Sequence, residues 1–156
     1  MGASANMNPI ELSTRVIDSG VVDQPLNRVT NEITELADGL AIVESFSHSA
    51  VFDTSDGLMC FDASGAGSGK DVVNSIRSWR NDPFSTLIYT HGHADHVGGS
   101  FAFAADATNN NHPKPHVIGH GNVNARIDRY AQTSDWNIRI NQRQFGGIRS
   151  DMGLNI

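Results

Sequence analysis

A chain with one cysteine can form no internal disulfide and no thiolate-only zinc site, and Cys60 is the single cysteine in these 156 residues. The scarcity leaves the compartment open, because disulfide-free proteins occur on both sides of a membrane. No apolar run approaches the roughly 18 residues that a membrane span needs. Residues 1–9 have neither the basic nor the apolar region of a secretory signal, so the default location is cytoplasmic. Positive charge is also scarce: Lys and Arg total 11 against 17 Asp and Glu, giving a formal net charge of -6. That balance argues against a nucleic-acid backbone as the main partner, since such binders carry a basic patch.

A phosphate-binding loop is missing too, although a glycine-rich segment invites the idea. In Ser64-Gly65-Ala66-Gly67-Ser68-Gly69-Lys70, Ser64 stands at the first glycine of a Walker-type loop and Asp71 follows the lysine. A dinucleotide fingerprint needs glycine where Lys70 stands. The segment therefore reads as a flexible strand-to-helix turn, with Ser68 as N-cap and Asp71 completing a capping box.

What remains is one α/β domain over 1–156, with 1–38 as a lead-in that wraps it. Leu40–Val43, Ser49–Phe52 and Leu58–Phe61 read as a meander of antiparallel strands, turned at Thr54-Ser55-Asp56-Gly57. An amphipathic helix follows, with Val72, Val73, Ile76 and Trp79 on its apolar stripe and Arg77 and Arg80 off it. A buried strand then runs from Ser85 to Thr90, a short helix carries Val97 and Phe101, and His116–His120 is another short strand. The last pattern is a long helix from Asn122 that breaks near Thr133-Ser134 and ends at Gly146-Gly147.

The chemistry gathers in Thr90-His91-Gly92-His93-Ala94-Asp95-His96-Val97-Gly98-Gly99. Three imidazoles and a carboxylate within six residues are good ligands for a borderline divalent ion such as zinc. Residues two apart on extended backbone point the same way, so His91 and His93 can hold one ion from one side. Asp95 and His96 fall where the chain turns into the next helix and can face a second. The small Gly92 and Ala94 leave the space between ligands open. Ligand sites of open α/β sheets lie at the carboxyl ends of strands, where this stretch sits.

Thr-His-x-His-x-Asp-His-x-Gly-Gly after an apolar strand resembles the signature of the metallo-β-lactamase superfamily of hydrolases. The segment from Ser49 to Gly65, a two-strand hairpin closing on Asp62, is similar to that family's upstream hairpin, and the likeness runs from about Leu40 to about His120. It implies an αββα sandwich, of which this chain supplies about the N-terminal half, with one or two zinc ions at the sheet edge. By motif position His91 and His93 would bind the first ion and Asp95 and His96 the second, with Asp95 also orienting or relaying a proton. Asp62 matches a carboxylate that buttresses the ligand loop, though a strand-end aspartate capping backbone amides reads equally well. A water bridging two ions would be deprotonated near neutral pH and attack the substrate.

The chain departs from the family pattern downstream. A third histidine for the first ion, a bridging carboxylate and a last histidine for the second are expected, but only His112, His116 and His120 follow His96. Asp128 and Asp135 are helical and Asp151 lies in the tail, so none suits the bridge. The half that completes the site would then be a complementary polypeptide, a second copy, a cleaved product or a truncated region of the same chain. His93 disfavours the oxygen-reducing di-iron relatives, and His96 disfavours the lactamases that place a cysteine there. The long helical segment from Asn122 to Phe145 is most similar to the alkylsulfatase-type branch, in which Arg126, Arg129 and Arg143 would face an anionic sulfate ester. Those arginines also suit the solvated face of a helix, and His48 reads as incidental. The expectation is a zinc-dependent hydrolase of a small molecule, sulfate esters first and β-lactams or lactones second. The alternative is a non-catalytic subunit whose metal loop docks onto a partner.

Overall fold

A computed structural model describes residues 7–23 and 27–145. The lead-in is more ordered than its polar composition suggests. Asn8 caps a first helix, α1 (Pro9–Ser19), its side chain accepting from the backbone of Ile10 and Glu11 while Glu11 reaches back to the Asn8 amide. Pro9 sits at the first helical position, where a missing N–H costs nothing, and Gly20 closes the helix in the left-handed region at φ 64°. Strand β1 (Ile33–Ala37) then joins the sheet. Neither element was expected within residues 1–38, although the Asn8-Pro9-Ile10-Glu11 cap was there to be read.

From Leu40 the elements fall as the periodicity predicts. Strands β2 (Leu40–Val43), β3 (Ser49–Thr54) and β4 (Gly57–Phe61) form the meander, then α2 (Gly69–Trp79), β5 (Phe84–Ile88), α3 (Ala94–Val97), α4 (Ser100–Asn109), β6 (His116–Ile118), α5 (Val123–Gln132) and α6 (Ser134–Phe145) follow. The six strands form one sheet in sequence order, antiparallel through β4 and parallel from β4 to β6. The predicted helix break at Thr133-Ser134 is the junction of α5 and α6. The predicted stop at Gly146-Gly147 lies outside the described residues.

Alternation along the strands divides the sheet's two faces. Ala41, Val43, Val51, Leu58, Cys60, Phe84 and Leu87 are buried, and most of them meet Val72, Val73, Ile76 and Phe103 of α2 and α4 in the core. Helix α1 lies on the opposite side, where Leu12, Val16, Leu36 and Ile42 line a groove of about 330 Å³. The architecture is thus one β layer with its main helical layer, half of an αββα sandwich.

Two local expectations, both helix caps, need correction. Ser68 is the N-cap of α2 but sits in helical φ/ψ and makes no side-chain cap bond, so the capping box does not form. Its backbone N–H, with that of Gly69, is taken by the Gly65 carbonyl instead. Asn122 likewise starts α5 without a side-chain bond. Arg77, off the apolar stripe, is half-buried: its guanidinium pairs with Asp106 of α4 at 2.6 Å and lies 4.1 Å from the centre of the Phe84 ring.

Two glycines let these helices approach the strand ends. A Cβ on Gly99 would stand 2.0 Å from the Ala63 carbonyl oxygen and 2.8 Å from the Gly69 Cα. Only hydrogen fits there, and the contact fixes the helical end of the histidine loop against the glycine-rich turn.

Candidate metal centre

The histidine loop leaves β5 at its carboxyl end and enters α3, with His93 as the N-cap residue in extended conformation. Two neighbouring connections brace it. The turn after β4 holds Asp62 and Ser64 at φ 61° and 59°, left-handed conformations that cost non-glycine residues on the order of 1 kcal/mol or more each. The backbone is pinned around them: Asp62 donates to Ile88, Ala63 to the His96 carbonyl, and Gly99 to Ser64, all within 2.7–2.9 Å.

This turn aims the Asp62 carboxylate into the loop. Oδ1 accepts from the Thr90 amide at 2.8 Å, while Oδ2 accepts from the Thr90 hydroxyl at 2.6 Å and from His96 Nδ1 at 2.7 Å. Asp62 is buried, so every one of these bonds is made in a low-dielectric setting. The network sets the tautomers. His96 carries its proton on Nδ1, which leaves Nε2 bare and 3.6 Å from Asp95 Oδ2. The Thr90 hydroxyl, committed to Asp62, accepts from His91 Nδ1 at 3.0 Å, leaving His91 Nε2 as an acceptor 2.8 Å from His93 Nδ1.

The side chains therefore meet in two pairs, His91 with His93 and Asp95 with His96, and the His91 and His96 rings lie 4.0 Å apart. Among the described residues no three His, Cys, Asp or Glu side chains enclose an ion-sized space. Two nitrogens bound tetrahedrally to one zinc stand about 3.3 Å apart, so the His91–His93 contact is closer than a chelating pair. One proton bridges the two nitrogens, and a shared ion would require it to move to His93 Nε2 and the two rings to turn apart. The donor types, imidazole nitrogen and carboxylate oxygen, are those that zinc takes. Partial desolvation, then the fields of His91 and Arg126, hold the His93 pKa below the ordinary histidine value of 6.5.

A serine cluster that the sequence reading did not single out supports the second pair. Ser47, buried in the β2–β3 connection, donates to Asp95 Oδ2 at 2.6 Å. Ser49 Oγ donates to the Asp62 carbonyl, and Ser45 Oγ lies 2.8 Å from Ser64 Oγ. The signal was present as an inverted alternation: in Ser45-Phe46-Ser47-His48-Ser49 the serines are buried while Phe46 is 51% exposed.

Other candidates stay away from the loop. His48 bonds the Ser45 carbonyl and lines the groove under α1. His120 Nδ1 accepts from the Asn122 amide in the turn before α5. His116 is exposed on β6, whereas His112, expected to be exposed, is half-buried. Asp128 and Asp135 are exposed on α5 and α6, and Asp151 lies outside the described residues. Cys60 is buried in the core, which raises its thiol pKa and removes it as a ligand or nucleophile.

The family model of the metallo-beta-lactamase superfamily matches residues 43–150. Among solved structures, the stereoselective inverting sec-alkylsulfatase Pisa1 from Pseudomonas sp. is 20% identical, with a TM-score of 0.58 over 76% of this chain and 19% of that one. A double mutant of the sec-alkyl sulfatase PisA1 aligns with a TM-score of 0.61 at 20% identity, over 74% of this chain and 19% of that one. A metallo-beta-lactamase of Cronobacter sakazakii aligns with a TM-score of 0.54 at 16% identity, over 66% of this chain and 36% of that one. At these identities the likeness concerns the fold, and the chain spans a fifth to about a third of each neighbour's length. No curated protein matches the chain.

Proposed function

The chain belongs to the metallo-beta-lactamase superfamily, and on that premise we propose that it carries the metal-binding part of a zinc-dependent hydrolase. The observation behind this reading is the pairing of donors: His91 Nε2 with His93 Nδ1, and His96 Nε2 with Asp95. His91 and His93 would hold one ion, and Asp95 and His96 a second. A bound zinc supplies a water acidic enough to ionise near neutral pH and a positive centre for the oxyanion that develops on the substrate.

The chain's own side chains do the rest. Asp62 fixes the His96 ring and its tautomer, and through the Thr90 hydroxyl it also orients His91. Ser47 holds one oxygen of Asp95, which would orient the attacking water and carry its proton. Two donors per ion fall short of the three protein ligands usual for catalytic zinc, so the remainder would come from outside these 156 residues, from further sequence, a complementary polypeptide or a second copy.

For the substrate, a sulfate ester is preferred over a β-lactam or lactone. The folds of the alkylsulfatases support this preference together with the helices α5 and α6 that follow β6. Zinc-replete protein, with the segment or partner that completes the site, should hydrolyse an alkyl sulfate and lose that activity to a chelator. Turnover of a β-lactam with none of any sulfate ester would contradict the sulfate reading.

A further inference from the structure

Helix α5 begins on the histidine loop. A Cβ on Gly92, the residue between His91 and His93, would stand 3.2 Å from the Arg126 Cβ, 3.3 Å from the Val123 Cα and 3.4 Å from the Arg126 Cγ. The alkyl stem of Arg126 therefore lies directly over the middle of the loop. Its guanidinium carbon stands 5.0 Å from the centre of the Tyr130 ring, and Nη2 reaches the Tyr130 hydroxyl at 3.4 Å.

The charge of this arginine is treated differently from that of its peers. Among the described residues five arginines are half-buried: Arg15, Arg28, Arg77, Arg80 and Arg126. The first four each pair with a carboxylate, Asp23, Glu44, Asp106 and Asp53 respectively, at 2.6–3.0 Å. Arg126 has no carboxylate partner among the described residues. Half-burying a guanidinium costs solvation that a carboxylate normally offsets. Its stem lies on the loop that would hold the metal, and its charge is near enough to be felt at His93. Arg129 and Arg143, the other arginines that the sequence brought forward on these helices, are exposed.

We propose that Arg126 is the substrate-anchoring residue of this site, selecting molecules that carry an oxyanion beside the bond to be cleaved. The proposal rests on the hydrolase reading above and commits it to anionic substrates. The guanidinium fork matches two oxygens of one sulfate or carboxylate group, and stacking on Tyr130 limits the rotamers lost on binding. Sulfate monoesters and carboxylate-bearing lactams share this chemistry. Neutral lactones do not.

The test is a titration of the full chain, zinc-free and zinc-loaded, followed through the backbone amide signals of Gly92 and His93. Methyl sulfate, acetate and the uncharged dimethyl sulfone are the probes. Methyl sulfate should shift both signals saturably in the wild type, and dimethyl sulfone should not. Arg126→Gln should weaken binding at least tenfold, Arg126→Lys should restore part of it, and Arg129→Gln should change it less than twofold. Tighter binding of methyl sulfate than of acetate identifies a sulfate subsite, and the reverse order a carboxylate subsite; both support the anchor. The absence of saturable shifts in the wild type, wild-type affinity in a folded Arg126→Gln, or an equal loss in Arg129→Gln would overturn it. Anion binding without zinc uptake would refute the metal reading while leaving the anchor intact. Zinc uptake without anion binding would do the opposite.

Discussion

Asp62 carries more of the site than any single ligand, because three donors from the histidine loop end on its two oxygens. Replacing it by asparagine keeps the shape but turns one acceptor into a donor that faces the Thr90 hydroxyl and His96 Nδ1. Carboxylates of this kind are worth about 10–100-fold in metal affinity. Asp62→Asn should therefore weaken zinc binding by roughly that factor, measured by competition with a chromogenic chelator. Ser47→Ala, which frees one oxygen of Asp95, should fall at the low end of the same range. The clustering of the loop side chains was legible because they fall within six residues, and the bracing by Asp62 was legible through the family resemblance. The Ser47 contact was not, since it joins residues 48 apart and depends on how β2 and β3 pair. His93 adds a pH effect with a definite sign. Its pKa is lowered in the folded chain, so below 6.5 the unfolded chain binds the extra proton more readily. Acidification through that window therefore costs stability, which is fully present above 6.5 and lost as the pH falls toward the folded value. Urea unfolding compared between about pH 7 and pH 5 should show this loss, and His93→Gln should reduce it.

At the scale of elements, the site depends on how closely helices approach strand ends. Gly99 touches the Ala63 carbonyl and Gly69 from the start of α4, whereas a Cβ on Gly65 would stand 3.8 Å from the Asp95 Cα, an ordinary contact. Gly99→Ala should thus cost about 3 kcal/mol or abolish folding, while Gly65→Ala should leave the melting temperature within a few degrees. The Arg77–Asp106 pair ties α2 to α4, with side chains only 16% and 10% exposed. Arg77→Ala would strand a nearly buried carboxylate and should cost about 3 kcal/mol in denaturant unfolding. Strand and helix order from β2 to α6 could be read from periodicity, because burial on one face imposes period two or 3.6 on the sequence. Helix α1 escaped because its apolar residues Ile10, Val16 and Ile17 stay largely outside the core and only Leu12 is buried. The bond between Arg77 and Asp106 escaped for another reason: a charged residue beside an apolar stripe reads as solvated until the neighbouring helix is in place.

For the whole molecule, one β layer with its helices presents two donor pairs at a single edge, and no helix among the described residues is long and apolar enough to cross a membrane. The fold class was legible because a six-residue ligand cluster after a strand is specific to its superfamily. The contact of Arg126 with Gly92 was not, because only the packing of α5 creates it. The central claim is that the stretch from His91 to His96 binds zinc through particular atoms. Long-range nitrogen–proton NMR spectra of the imidazoles, recorded with and without added zinc, read those atoms one by one. Zinc should bind His91 through Nε2, His93 through Nδ1 with its proton moved to Nε2, and His96 through Nε2 with Nδ1 still protonated against Asp62. Zinc shifts confined to His112, His116 and His120, or a His96 metallated at Nδ1, would contradict the account.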